Sequence, residues 1–249
     1  ASRFFGDFIP LMPYMALYFS SIGLSLSRIS VLFMIWAGTV LIAEIPTGIL
    51  ADRVNRKKIL IIARIFKLLC FVIWLISPTF SGLLIGFISW GLGSALESGA
   101  FQAYVFDLLM QRNQKDEFQK IYGRASGWSY TGLFLSALVS TLLISQGYSV
   151  LLKIGILSLL FSTFCLLTLP STVNSNEPKH TSWKITQLFS LVTPAGILMA
   201  LMIGITAGGI KGTLEEFYPI LLFGKHIPLL YIGLVIGIFE AMKIITSML

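Results

Sequence analysis

The sequence is short of charged residues. Asp, Glu, Lys and Arg make up 12% of its 249 residues, whereas soluble chains carry about 25%. Hydrophobic residues account for 56% of the chain, and the mean hydropathy is +0.87. This composition excludes a soluble globular domain and predicts helices that cross a membrane.

Cysteine and histidine are also scarce. The two cysteines, Cys70 and Cys165, lie in apolar runs and are too few for a disulfide framework. The two histidines, His180 and His226, fall in predicted loops and form no set of metal ligands. Because the nucleotide-binding P-loop pattern and the H-E-x-x-H and G-x-S-x-G motifs are missing, we expect no cofactor, no metal and no enzymatic activity.

Long apolar runs separated by polar residues predict eight helices. They cover about residues 4–22, 28–51, 57–77, 81–109, 122–145, 149–169, 190–221 and 227–249. The polar segment 171–189 separates the first six predicted helices from the rest, so residues 1–170 are predicted to form one bundle.

The net charge of +7 comes from basic residues in the loops. That distribution is typical of membrane orientation by positive charge and excludes a nucleic-acid-binding face. The more basic side is expected to be cytoplasmic, together with the N-terminus. Its basic residues are Arg53, Arg56, Lys57, Lys58, Arg112, Lys115, Lys120, Arg124, Lys179 and Lys184, against Arg28, Lys153, Lys211 and Lys225 on the other side.

The loop after the second predicted helix reads G-I-L-A-D-R-V-N-R-K-K from Gly48 to Lys58. It closely resembles the loop between helices 2 and 3 of the major facilitator superfamily, G-x-L-A-D-R-x-G-R-[KR]-[KR]. Segments 44–48 and 98–107 are also similar to bacterial members. The resemblance implies an all-α polytopic membrane protein: a six-helix N-terminal bundle over 1–170, a cytoplasmic linker over 171–189, and the first two helices of a C-terminal bundle over 190–249, truncated after helix 8.

In that family the charges of this loop form a latch that favours the outward-facing state. The resemblance implies the same role here, with the acid at the end of helix 4 as partner of the arginine side. The latch residues are then Gly48, Asp52, Arg53, Arg56 and Asp107.

Three further expectations concern the same loop. Gly48 should allow helix 2 to approach a neighbouring helix closely. Asn55 stands where the family has glycine, and it is expected to keep a left-handed turn. Lys57 and Lys58 are interpreted only as part of the positive cluster on the cytoplasmic side.

Acids inside predicted spans are costly, by about 2.5–3.5 kcal/mol on insertion scales, so each invites a functional question. Glu97 lies near the middle of helix 4 and is the first candidate for a proton or substrate-coupling site. The alternative is a protonated, hydrogen-bonded packing residue. Glu44 in helix 2 is the second candidate, and its alternative role is to position the latch loop.

Helix 4 carries two patterns at helical spacing. The first is a stripe of small residues for close packing, Gly91, Ala95, Gly99 and Ala103. The second is a more polar stripe through Glu97 that suits a water-filled cavity. The cavity candidates are Ser94, Phe101, Tyr104 and, from helix 5, Tyr130. Arg64 in helix 3 is expected to anchor at the cytoplasmic interface by snorkelling.

The resemblance implies a secondary active transporter that moves a small organic solute by alternating access, with protons as coupling ion. Helix 5 lacks the Gly-Pro pair of many drug exporters, which disfavours proton-antiport efflux and leaves it open. The alternative is a non-transporting membrane scaffold or receptor with the same fold. Expected partners are a small-molecule substrate, membrane lipid and a coupling ion, without nucleic acid or an obligate protein partner. The expected location is the plasma (inner) membrane, multi-pass.

Overall fold

The described part of the chain is helical. A computed structural model describes residues 1–171, 199, 217–225 and 227–248, apart from the side chains of residues 52, 53, 230 and 245–248. The α-helices with both ends described are α1 (Ser2–Asp7), α2 (Met15–Ser21), α3 (Leu26–Arg53), α4 (Arg56–Ile76), α5 (Phe80–Glu97), α6 (Ala100–Gln111), α7 (Phe118–Leu143), α8 (Tyr148–Thr168) and α9 (Leu229–Met248), and residues 217–224 are helical as well. No strand occurs in these ranges.

Five helical segments of the described ranges are long and apolar enough to cross a membrane. They are Leu26–Ala51, Arg56–Ile76, Phe80–Gln111, Lys115–Gln146 and Tyr148–Thr168. The second to sixth predicted spans are confirmed, and α9 matches the eighth. Most of the seventh predicted helix, 190–221, and the linker lie outside the described residues. The fold is therefore all-α, as the hydropathy pattern predicts.

The first predicted helix is interrupted. Pro10 and Pro13 lie between α1 and α2, where the backbone forms a turn and a 3₁₀ helix over Met12–Tyr14. Proline has no amide hydrogen and clashes with the preceding turn, so a continuous α-helix over 4–22 cannot form. That prediction was wrong, and α1 is left as a short separate helix.

The fourth span is interrupted as well, between α5 and α6. Gly99 has a φ of +69°, a left-handed conformation that glycine adopts without a steric penalty. Ser98 is the C-cap of α5, and α6 starts at Ala100. The expectation of one regular helix over 81–109 was wrong, and Glu97 is the last residue of α5.

Small residues bring α5 close to its neighbours. A Cβ on Gly91 would stand 2.8 Å from Thr39 Cβ of α3, and a Cβ on Gly93 would stand 2.8 Å from the Ala63 carbonyl oxygen of α4. The predicted packing stripe is confirmed at Gly91. Gly48 is different, because no described atom lies within 4 Å of its Cβ position and the residue is exposed. The close contact expected at Gly48 is therefore not made within the described part of the chain, and α3 approaches α5 through another face.

Buried aromatic rings hold α2, α4 and α5 together on the side of the bundle away from α6. The Trp74 ring lies 4.9 Å from that of Phe87 and 5.2 Å from that of Phe19. All three side chains are buried. This apolar packing fixes the relative positions of α4 and α5, which carry the charged residues described next.

Candidate functional site

The N-terminal helix α1 is fixed by hydroxyl groups of α8. Ser158 donates a hydrogen bond of 2.7 Å to the Phe5 carbonyl, and Ser162 donates one of 2.8 Å to the Ser2 carbonyl. The two serines are four residues apart and share one face of α8. Because α1 is held in this way, the Arg3 side chain is directed into the bundle.

Four charged side chains meet at the end of α5. Glu97 Oε1 lies 2.7 Å from Arg3 NH1 and 2.6 Å from Arg64 NH2, and Glu97 Oε2 lies 2.6 Å from Lys67 Nζ. Both carboxylate oxygens are therefore bonded to cations. We call these four residues, Arg3, Arg64, Lys67 and Glu97, the Glu97 cluster.

The two cations of α4 reach the cluster from within the membrane span. Arg64 and Lys67 lie eight and eleven residues after Arg56, about 12 and 16 Å along the helix axis. The Arg64 side chain is 3% exposed, and its NH1 also donates to the Gly6 carbonyl at 3.3 Å. The expectation that Arg64 anchors at the interface was therefore wrong. Arg64 stays inside the bundle, where Glu97 is its partner, and does not extend to the membrane surface.

Arg3 is the most accessible member of the Glu97 cluster. Its side chain is 26% exposed, against 12% for Lys67. The Arg3 guanidinium lies 4.7 Å from the Phe101 ring centre, a cation–π contact. Asp7, one turn further along α1, accepts a hydrogen bond from the Ser129 hydroxyl of α7. The site therefore combines charged groups from α1, α4 and α5 with an aromatic side chain of α6.

A separate ion pair joins the start of α4 to α6. Arg56 Nε lies 3.0 Å from Asp107 Oδ2, and the two side chains are 7% and 4% exposed. Removing one partner of such a buried pair leaves an uncompensated charge. The latch role of Arg56 and Asp107 stays a prediction. The side chains of Asp52 and Arg53, the other charged latch residues, lie outside the described part of the structure.

The rest of the basic loop has structural roles that the sequence did not indicate. Lys57 Nζ donates to the carbonyls of Leu167 and Leu169 at 2.8 and 2.5 Å, at the C-terminal end of α8. Lys57 is therefore more than a charge in the basic cluster of this loop. Asn55 has φ −54° and caps α4 by accepting a hydrogen bond from the Lys57 amide. The expected left-handed turn at Asn55 was wrong, because the asparagine serves as a helix cap instead.

The other predicted site residues lie on four helices, α3, α5, α6 and α7. Glu44 is exposed on α3 and is not among the described residues that pair with Glu97. Tyr104 is buried, and its hydroxyl donates to the Pro170 carbonyl at 2.8 Å, so it packs against the end of α8, and its role in a cavity stays a prediction. Ser94 and Tyr130 are half-buried. Because of the break at Gly99, Ser94 belongs to α5 whereas Phe101 and Tyr104 belong to α6, so the stripe predicted on one helix is divided between two.

Sequence reasoning found Glu97 and missed its partners. Arg3 precedes Glu97 by 94 residues, and no local pattern connects them. A usable signal existed in α4, where Arg64 and Lys67 are three residues apart inside an apolar run and so share a face. Two buried cations require an acid or a ligand nearby. In the described ranges no group of His, Cys, Asp and Glu could hold a metal ion.

Comparison with known proteins agrees with this architecture. No curated protein matches the sequence significantly. The profile of the Major Facilitator Superfamily matches residues 2–249, nearly the whole chain. Members of that family are multi-pass membrane transporters. On this match, and with helices of membrane-spanning length confirmed, the chain belongs to the major facilitator superfamily.

Proposed function

We propose that the protein is a secondary active transporter that moves a small organic solute by alternating access, with protons as the coupling ion. The basic loop 53–58 then faces the cytoplasm, as does the N-terminus, and the membrane is the plasma (inner) membrane. The observation that supports coupling is the set of bonds made by Glu97 to cations on two other helices.

The physical argument concerns what a proton on Glu97 would change. The ionised carboxylate links α5 to α1 through Arg3 and to α4 through Arg64 and Lys67. A protonated carboxyl has no charge with which to hold the three cations. Protonation would therefore weaken the attachment of α5 to both neighbours and would shift the balance between two helix arrangements. In this way a single proton is coupled to a conformational change of the bundle.

The buried Arg56–Asp107 pair supports the conformational part of the proposal. It joins α4 to α6 near the basic loop, some 12 Å along α4 from Arg64. Charged side chains of α4 therefore contact neighbouring helices at two levels along its axis. Arg56 contacts α6, and the cations of the Glu97 cluster contact α5. We propose that the pair stabilises one of the two states, in the manner of the family's latch.

Uptake by the purified protein in sealed proteoliposomes tests the proposal. Organic solutes are offered with and without an imposed pH gradient, and protein-free vesicles give the background. Accumulation above equilibrium that disappears when a protonophore collapses the gradient is the expected result. Accumulation that a protonophore leaves unchanged would refute proton coupling. Absence of protein-dependent flux for every solute would favour the scaffold alternative.

A further inference from the structure

The charges around Glu97 do not balance. Arg3, Arg64 and Lys67 contribute three positive charges, and Glu97 and Asp7 contribute two negative ones. Among the described residues on the packed helices, Lys153 of α8 is exposed and Asp107 is already paired with Arg56. Counted over the described part of the chain, the Glu97 cluster together with Asp7 therefore carries one excess positive charge inside a membrane protein. Unbalanced charge in such surroundings is costly and marks substrate or ion sites.

We propose that the Glu97 cluster binds the carboxylate of a small organic acid, so that the transported solute is an organic monoanion. This inference rests on the transport function proposed above and adds the chemical class of its substrate. One negative charge on the ligand would bring the group to neutrality. The purely structural alternative, in which the cluster only ties helices together, offers no use for the excess charge.

Arg3 is the member best suited to receive such a ligand. It is the most exposed of the three cations, and its Nε is buried without a hydrogen-bond partner among the described residues. A guanidinium presents its N–H groups in a planar fork that matches the two oxygens of a carboxylate. Arg64, by contrast, is 3% exposed and also bonded to Gly6. It therefore serves to position Glu97.

Aromatic side chains beside Arg3 suit the organic part of the ligand. The Phe101 ring lies under the guanidinium, and the Tyr122 ring centre is 6.2 Å from that of Phe101. Both side chains are half-buried. Small-molecule sites combine apolar and aromatic walls with a few oriented polar groups. An acid with an apolar body can lie against these rings while its carboxylate contacts Arg3.

Thermal unfolding of the purified protein in lipid nanodiscs tests the inference with matched probes. The pairs are benzoate with benzamide, phenylacetate with phenylacetamide, and indole-3-acetate with its amide. We expect the acids to raise the unfolding midpoint more than the amides, since a ligand that binds the folded state stabilises it. If no acid exceeds its amide, or if benzylamine stabilises more than benzoate, the inference is wrong.

Three variants locate the effect. Arg3→Gln should weaken the apparent affinity for the stabilising acid about tenfold or more. Arg3→Lys keeps the positive charge but loses the planar guanidinium. Its apparent affinity for the acid should therefore lie between those of the parent protein and of Arg3→Gln. Lys153→Gln removes an exposed cation of α8 and should bind the acid as the parent protein does. Equal loss in Lys153→Gln and Arg3→Gln would place recognition outside the Glu97 cluster. If Arg3→Gln does not fold, the inference is tested by comparing how much the acid and its amide raise the unfolding midpoint in the parent protein and in Arg3→Lys.

The two proposals can fail separately. An acid that binds but is not taken up by proteoliposomes would contradict transport and leave anion recognition intact. Protein-dependent uptake of amides or amines with no preference for acids would contradict anion recognition and leave transport intact.

Discussion

At the scale of single residues, Glu97 is the group on which coupling depends in our proposal. Glu97→Gln removes the negative charge and keeps the shape of the side chain. Accumulation driven by a pH gradient should disappear in this variant, while downhill exchange of the solute continues. Uptake and counterflow in proteoliposomes measure the two activities.

Glu44→Gln is the matched control for that experiment. Glu44→Gln is the same chemical change as Glu97→Gln, made at an exposed position of α3. We expect this variant to keep gradient-driven accumulation. If Glu44→Gln loses accumulation and Glu97→Gln keeps it, the coupling site belongs to Glu44 and our assignment is incorrect.

The Arg56–Asp107 pair allows a double-mutant cycle. Each single change, Arg56→Ala or Asp107→Ala, leaves a buried charge without its partner and should lower transport and thermal stability. The double variant should lose less than the sum of the two, with a coupling of about 1 kcal/mol or more. Strictly additive losses would mean that the two charges do not interact in the functional protein.

At the residue level, the motif and the cost of burying a charge each singled out one side chain, and the roles expected of both stay predictions. Asp107 was expected as the partner of the arginine side, and the structure brings it to Arg56. Glu97 stood out as an acid inside a span. Its partners could not be predicted, because an ion pair across 94 positions depends on how α1 packs, and α1 is positioned by serines that are unremarkable in the sequence.

At the scale of helices, close packing around Gly93 is a testable feature. Gly93→Ala brings a methyl group against the Ala63 carbonyl and toward the stem of Lys67. The added methyl group of Gly48→Ala meets no described atom within 4 Å. We expect Gly93→Ala to be less stable than Gly48→Ala by about 1–3 kcal/mol.

The midpoint of thermal unfolding in detergent measures that difference. Both substitutions gain similar helix propensity, so the comparison isolates packing. Equal midpoints would show that α4 and α5 separate enough to accept the methyl group. A lower midpoint for Gly48→Ala would indicate that a partner covers that position of α3.

Helices were predictable from the sequence, but their interruptions were not. Hydropathy identifies a span because about 20 apolar residues are needed to cross the hydrocarbon core. It does not distinguish a straight helix from one broken at Gly99, since glycine occurs both in packed helices and in left-handed turns. For this reason the polar stripe predicted on helix 4 is divided between α5 and α6, and the cavity role of Tyr104 stays a prediction.

At the scale of the whole molecule, the proposed orientation can be tested with single cysteines. Cys70 and Cys165 are first replaced by alanine. A cysteine at exposed Gln114 should react with a membrane-impermeant maleimide only from the cytoplasmic side, and one at exposed Ser145 only from outside. Labelling of both positions from the same side would contradict the order of the spans.

The way α1 is held has a consequence for the order of biogenesis. The carbonyls of Phe5 and Gly6 accept hydrogen bonds from Ser158 and Arg64, side chains that the ribosome makes much later. Until these donors arrive, two carbonyls near the end of α1 lack protein partners, which is unfavourable in hydrocarbon. α1, which is translated before α4 and α8, therefore completes its insertion late, after α8 has entered the bilayer.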